Sequence, residues 1–155
     1  MQLSTDLVRQ RWTNQLAGGN NLTPVHEDIY RLLALLLPAG WREQSLLEAC
    51  VPGKPPLRLQ LREQFTYTDE IALFYATGQN EDIMVARMYH DARVAELHHC
   101  NFAGYFLRRL GPAVSAGLQA GNRRSQNEFF RKWLVFLLDA GYQHRPWRTL
   151  ADNVA

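Results

Sequence analysis

The sequence predicts an α+β fold, a four-stranded antiparallel meander sheet packed by N-terminal and C-terminal helices. Three observations predict it. Leu57-Arg58-Leu59-Gln60-Leu61-Arg62 alternates apolar with polar, the period of a strand with one buried face. Apolar residues recur at helical spacing in two well-separated segments, Ile29 to Leu37 and Phe129 to Leu138. Between these segments, strand-like runs are divided by short polar breaks, as in a meander.

Taken in order, Leu3, Leu7, Val8, Trp12 and Leu16 predict an amphipathic helix over residues 3–17, ended by Gly18-Gly19-Asn20-Asn21. Residues 1–20 form a helical extension to the domain. A second helix begins with Thr23 as N-cap and Pro24 at its first position, and it stops at Pro38-Ala39-Gly40. Ile29, Tyr30, Leu32, Leu33, Leu36 and Leu37 give it a broad apolar face. Residues 38–56 hold four prolines and two glycines, which oppose regular structure and predict a connector packed by Trp41, Leu46 and Leu47.

The first strand runs from Leu57 through Tyr67, with Thr68-Asp69-Glu70 as a polar turn into Ile71-Ala72-Leu73-Phe74-Tyr75. After a break at residues 77–82, strands over 83–89 and 93–99 flank His90-Asp91. Short helices are expected over 102–110 and 113–121. Ser125 and Glu128 have capping-box spacing and open the last helix, which runs to Gly141 with Arg131, Lys132 and Asp139 facing outward. The tail from 143 to 155 is expected to fray.

The 155 residues suit a single domain spanning 1–155, and 46% hydrophobic against 21% charged residues excludes the composition of a disordered chain. The start lacks the basic-then-apolar pattern of a signal peptide, and the longest apolar run, Leu32 to Leu37, is far short of a membrane span. Cys50 and Cys100, the two cysteines, lack CxxC spacing, so reduced thiols in the cytoplasm are expected. The formal net charge of +2 hides a basic C-terminal part: residues 97–155 carry eight Lys and Arg against three Asp and Glu. Arginine dominates there, and its planar fork suits phosphate or carboxylate. Nucleic-acid contact is not favoured, because the whole chain lacks the basic excess of such binders.

In the central hairpin, either a two-residue or a four-residue turn gives the same faces. Met84, Ala86, Met88, Ala95 and Leu97 point to the helices, while Val85, Arg87, Tyr89, Val94, Glu96 and His98 share the other side. Arg87 and Glu96 are then a direct or diagonal cross-strand ion pair, and His90-Asp91 sits at the bend.

Val85-Ala86-Arg87-Met88-Tyr89-His90-Asp91-Ala92-Arg93-Val94-Ala95-Glu96 resembles the signature of the YqiB-like proteins, small proteobacterial proteins of unknown function. Tyr30 with Leu33, Leu36, Leu37 and Pro38 is similar to that family's aromatic-led helix, Tyr67-Thr68 to a strand-end pair, and Asn127, Phe129, Trp133 and Leu134 to its closing helix. The likeness spans about residues 28–141. Where that family has a Tyr-Pro-Asn turn and an Asp-Glu-Lys cluster, this chain has Gly111-Pro112-Ala113 and Gly121-Asn122-Arg123-Arg124. The resemblance implies a fold and a compartment but no activity.

Two functional readings follow. The leading one is a non-enzymatic binding or regulatory module whose polar sheet face or basic C-terminal half engages a protein or an acidic ligand. Its binding candidates are Arg58, Arg62, Arg87, Tyr89, His90, Asp91 and Glu96. A homodimer through an open sheet edge fits the same fold. The competing one is a small hydrolase or lyase with His90, Asp91 and Glu96 as its acid and base groups. Against it stands a plain structural reading, in which Asp91 closes the turn, His90 is exposed at its tip and the Arg87–Glu96 pair fixes register. No metal site is expected, since only His98 and Cys100 of the His98-His99-Cys100 run share a face. No cofactor is expected, since no phosphate-binding glycine motif is present.

Overall fold

The computed structural model describes residues 23–76, 82–101 and 123–150. Two α-helices, α1 (Thr23–Leu36) and α2 (Arg123–Ala140), pack on one face of a six-stranded antiparallel sheet. The strands are β1 (Leu46–Ala49), β2 (Leu57–Gln64), β3 (Thr68–Tyr75), β4 (Ile83–Tyr89), β5 (Val94–Asn101) and β6 (Arg148–Thr149). Their order is β5-β4-β3-β2-β1-β6, so β1 to β5 form a sequential meander and β6 returns to the open side of β1.

The predicted four-strand meander is therefore β2 to β5, and the sheet extends beyond it at one edge. β1 lies within the proline-dense stretch read as irregular. Four residues are too few to show a period, and the strand exists because Leu46 to Ala49 pair in register with Leu57 to Gln60. β6 falls in the tail expected to fray. Its anchors are tertiary: the Tyr142 hydroxyl donates to the Pro55 carbonyl at 2.6 Å, and the Leu150 N–H donates to the Leu46 carbonyl at 3.0 Å. The expected helices at 3–17, 102–110 and 113–121, most of the 77–82 break and residues 151–155 lie outside the described residues.

The alternation of β2 places Leu57 and Leu59 in the core and Arg58 and Gln60 on the far face. Ile71, Leu73 and Tyr75 of β3, Met84, Ala86 and Met88 of β4, and Ala95 and Leu97 of β5 continue the same buried layer. Against it lie Val25, Ile29, Leu32, Leu33 and Leu36 of α1 with Phe130, Trp133, Leu134, Leu137 and Leu138 of α2. Full burial of each large apolar side chain is worth about 1.5–3 kcal/mol, which is what holds helices to sheet. Gly141, at φ 92°, ends α2 in the left-handed conformation that the sequence predicts for it.

Two helical assignments change. α2 starts at Arg123, so Ser125 lies inside its first turn rather than capping it. Arg131, expected outward, is fully buried; its Nη1 donates to Asp28 Oδ2 of α1 at 3.1 Å, which makes an inward position tolerable for a cation. On β5, a bulge displaces the pattern: Ala86 faces Leu97 but Val85 faces His99, so His99 takes the far-face position expected of His98. The Leu97 N–H beside it donates to the Asn127 carboxamide at 2.8 Å, which ties α2 to the edge strand.

A polar cluster at the end of the sheet

The turn between β2 and β3 is displaced from its expected position, and that shift uncovers a residue the sequence concealed. Phe65-Thr66-Tyr67 makes the turn, closed by the Phe65 N–H donating to the Thr68 carbonyl at 2.8 Å. Thr68, Asp69 and Glu70 belong to β3. Asp69 is 0% exposed and sits two residues before Ile71 on the inward face. Phe65 and Tyr67 are 58% and 63% exposed.

β4 and β5 are joined by four residues, since Tyr89 pairs with Val94. Arg93 at φ 54° completes this turn, and Asp91 Oδ1 accepts the Ala92 N–H at 2.9 Å. His90 folds back from the turn instead of projecting from its tip. Its N–H donates to the Tyr67 carbonyl at 2.8 Å, and its side chain is 24% exposed. The His90 Nε2 lies 2.6 Å from Asp69 Oδ2, and the Tyr30 hydroxyl lies 2.9 Å from His90 Nδ1. Arg42, on the short 3₁₀ turn Trp41–Glu43, grips the same carboxylate through Nε to Oδ2 at 2.6 Å and Nη2 to Oδ1 at 3.3 Å.

A carboxylate only accepts hydrogen bonds, so the His90 Nε2 carries a proton and donates it to Asp69. In the neutral ring Nδ1 then accepts the Tyr30 O–H. Both imidazole nitrogens are thus engaged, with the Trp41 ring 6.4 Å away by centroids. Four segments of the chain (α1, the 3₁₀ turn, the start of β3 and the β4–β5 turn) meet on one histidine.

The residues proposed from sequence divide among separate places. His90 belongs to the cluster with Asp69, Tyr30 and Arg42, whereas Asp91 closes its own turn. Glu96 accepts the Tyr89 O–H at 3.0 Å and the Arg123 guanidinium at 2.7 Å. Burial, and then this carboxylate, raise the Tyr89 phenol above its ordinary value. Arg87 and Glu96 do lie directly opposite each other, but the Arg87 Nε donates to Glu70 at 3.0 Å, the residue opposite it on β3. That carboxylate raises the Arg87 guanidinium, and Arg62 stands 3.9 Å from it as well. Arg58 donates to Glu48 at 2.9 Å. His90, Asp91 and Glu96 consequently do not form one acid–base set, and the far-face arginines pair with carboxylates on neighbouring strands, Arg58 with Glu48 and both Arg62 and Arg87 with Glu70.

Asp69, Tyr30 and Arg42 are the members that sequence reasoning missed. Thr68-Asp69-Glu70 has turn composition, Tyr30 falls in an apolar stripe, and Arg42 lies among prolines and glycines. One signal was present: the spacing Ile71, Leu73, Tyr75, extended backwards by two, reaches Asp69. The other face of β3 and β4 carries a small apolar group, Ala72, Phe74 and Val85, with Leu46 and Ile83 partly buried beside it. Among the described residues, no three His, Cys, Asp or Glu side chains stand together as metal ligands, and no helix is long and apolar enough to cross a membrane.

No curated protein and no solved structure matches the chain. A family model does, over residues 31–143, which takes in the last six residues of α1, the first five strands, all of α2 and therefore Arg42, Asp69 and His90. By that match the chain belongs to DUF1249, a protein family of unknown function.

Proposed function

We propose that the chain is a non-enzymatic binding module that recognises a protein partner through the end of the sheet where Phe65 and Tyr67 project. The observation that carries this reading is the exposure of two large aromatic side chains on a short turn, 58% and 63%, beside a histidine hub that pins the turn's backbone. Aromatic anchors on a rigid support dominate protein interfaces, because their burial gains much and their immobilisation costs little. Exposed Arg42, Asp91 and Arg93 supply a polar rim. The polar sheet face is less suited to the task, since Arg58, Arg62 and Arg87 already stand by Glu48 and Glu70. Nucleic acid is not favoured as the ligand, because the whole chain carries a formal net charge of only +2.

The compartment and lineage are part of this proposal. Unpaired Cys50 and Cys100 suit a reducing bacterial cytoplasm, and the hairpin signature supports a YqiB-like protein of proteobacterial origin. A second copy of the chain is one candidate partner, and light scattering of the purified protein separates it from a different protein.

The test compares affinity capture from native cells by the natural chain and by a Phe65→Ala/Tyr67→Ala variant, followed by direct titration of the recovered partner. One specific partner should be lost, with affinity lowered about 30-fold or more and thermal stability unchanged. Equal affinity for the same partner would overturn the reading.

A second reading rests on the Asp69–His90–Tyr30 chain of hydrogen bonds, at 2.6 Å and 2.9 Å, which has the form of a relay that polarises the Tyr30 hydroxyl for acid–base chemistry. It replaces the His90, Asp91 and Glu96 set. Tyr30→Phe separates the readings, because it would abolish turnover while leaving partner capture through Phe65 and Tyr67 intact.

A further inference from the structure

We propose a second site, independent of the aromatic turn: the recess between β1 and the C-terminal segment binds a small molecule bearing a phosphate group. The recess has a volume of about 210 Å³ and is lined by Glu48, Cys50, Arg145, Pro146 and Arg148. Pockets for whole cofactors start at roughly 300 Å³, so this one fits a phosphate with a few attached atoms and not a nucleotide.

Its electrostatics favour a dianion. Glu48 is the one carboxylate of the lining, and it is buried. It accepts Arg58 Nε at 2.9 Å and Arg148 through Nη2 at 2.5 Å and Nε at 3.2 Å. Burial acts to raise its carboxyl, but the hydrogen bonds from Arg148 and Arg58 outweigh that and hold it below the usual range. Its negative charge is therefore already divided between two guanidiniums. Arg145 contributes a third guanidinium, whose Nε donates to the Cys50 carbonyl at 3.0 Å and which has no carboxylate partner among the described residues. Arg145 and Arg148 line the recess with Glu48, and Arg58 holds the same carboxylate from outside the lining, so the group of three guanidiniums and one carboxylate carries two positive charges in excess. A phosphate monoester, at −1.5 to −2 near neutral pH, cancels that excess, and a single carboxylate cancels half of it.

The arginines are also held in advance of any ligand. β6 pairs with β1 through Leu47–Thr149 and Glu48–Arg148, and the Tyr142 hydroxyl fixes the start of the same segment on Pro55. Pro146 restricts the backbone next to Arg145. Planar guanidinium forks on such a support match phosphate oxygens with little loss of freedom.

Cys50 opens onto the recess and reports its occupancy, with partly buried Cys100 on β5 as an internal reference. The experiment alkylates the full-length protein at low ionic strength with increasing inorganic phosphate, or with acetate at equal ionic strength, and follows each cysteine by mass spectrometry. Phosphate should slow Cys50 saturably and leave Cys100 unchanged, acetate should act far more weakly, and Arg145→Gln should raise the apparent Kd about ten-fold. Arg148→Gln tests the second fork, and Arg124→Gln at the start of α2 should bind as the natural chain does. The site is refuted if Cys50 and Cys100 respond alike, if acetate matches phosphate, or if Arg145→Gln binds with unaltered affinity.

Discussion

Asp28 on α1 and Arg131 on α2 face each other at 3.1 Å with neither side chain reached by solvent. This pair fixes how the two helices meet. Removing one partner of a buried ion pair strands the other charge, whereas replacing both with apolar groups removes two desolvation costs together. Asp28→Leu alone should therefore destabilise the fold by about 3–5 kcal/mol, and Asp28→Leu with Arg131→Met should recover most or all of the loss. Urea unfolding of the two variants and the natural chain checks this. Additive losses would show that the ion pair is not what joins the helices.

Asp69 presents a comparable case with a different outcome, because its partners are only half-buried. Arg42 and His90 can both turn to water if the carboxylate is lost. Asp69→Asn should accordingly cost about 1.5–3 kcal/mol, the range for a hydrogen bond to a charged group. It should also loosen the β2–β3 turn, seen as faster amide hydrogen exchange at His90, whose N–H meets the Tyr67 carbonyl.

Acid should destabilise the protein in two stages. His26, in the first turn of α1, is lowered from 6.5 by burial, opposed by Glu96 and assisted by Arg123. The unfolded chain then takes up this proton more readily than the folded one, so stability falls as the pH drops below about 6.5. Glu48 is lowered from 4.5, so its contribution is present above that value and is lost as the pH falls through its folded-state value. His26→Gln should flatten the upper part of the stability profile and Glu48→Gln the lower part. Urea midpoints measured between about pH 3 and pH 8 report both.

The parts legible in the sequence were those whose period repeats within one segment. The leucines of β2, the faces of β4 and of β5 as far as its bulge, and the apolar sides of α1 and α2 were readable because each buries several residues in a row. β1 and β6 were not, since a strand of four residues or two gains its form from a partner distant in sequence. Arg131 was read as outward because its buried counterpart, Asp28, lies on another helix. The same limit applies to the site. His90 stood out in the hairpin, but Tyr30, Arg42 and Asp69 reach it only through the fold, and a turn-like Thr68-Asp69-Glu70 hid the carboxylate that orients it.

The account depends most on His90 as a fixed hub with both ring nitrogens occupied, and nitrogen-15 NMR of its imidazole tests that directly. A single tautomer should be seen, with Nε2 protonated toward Asp69, a slowly exchanging ring N–H signal, and an Nδ1 shift that moves in Tyr30→Phe. Fast averaging between tautomers, with no observable ring proton and no response to Tyr30→Phe, would contradict it.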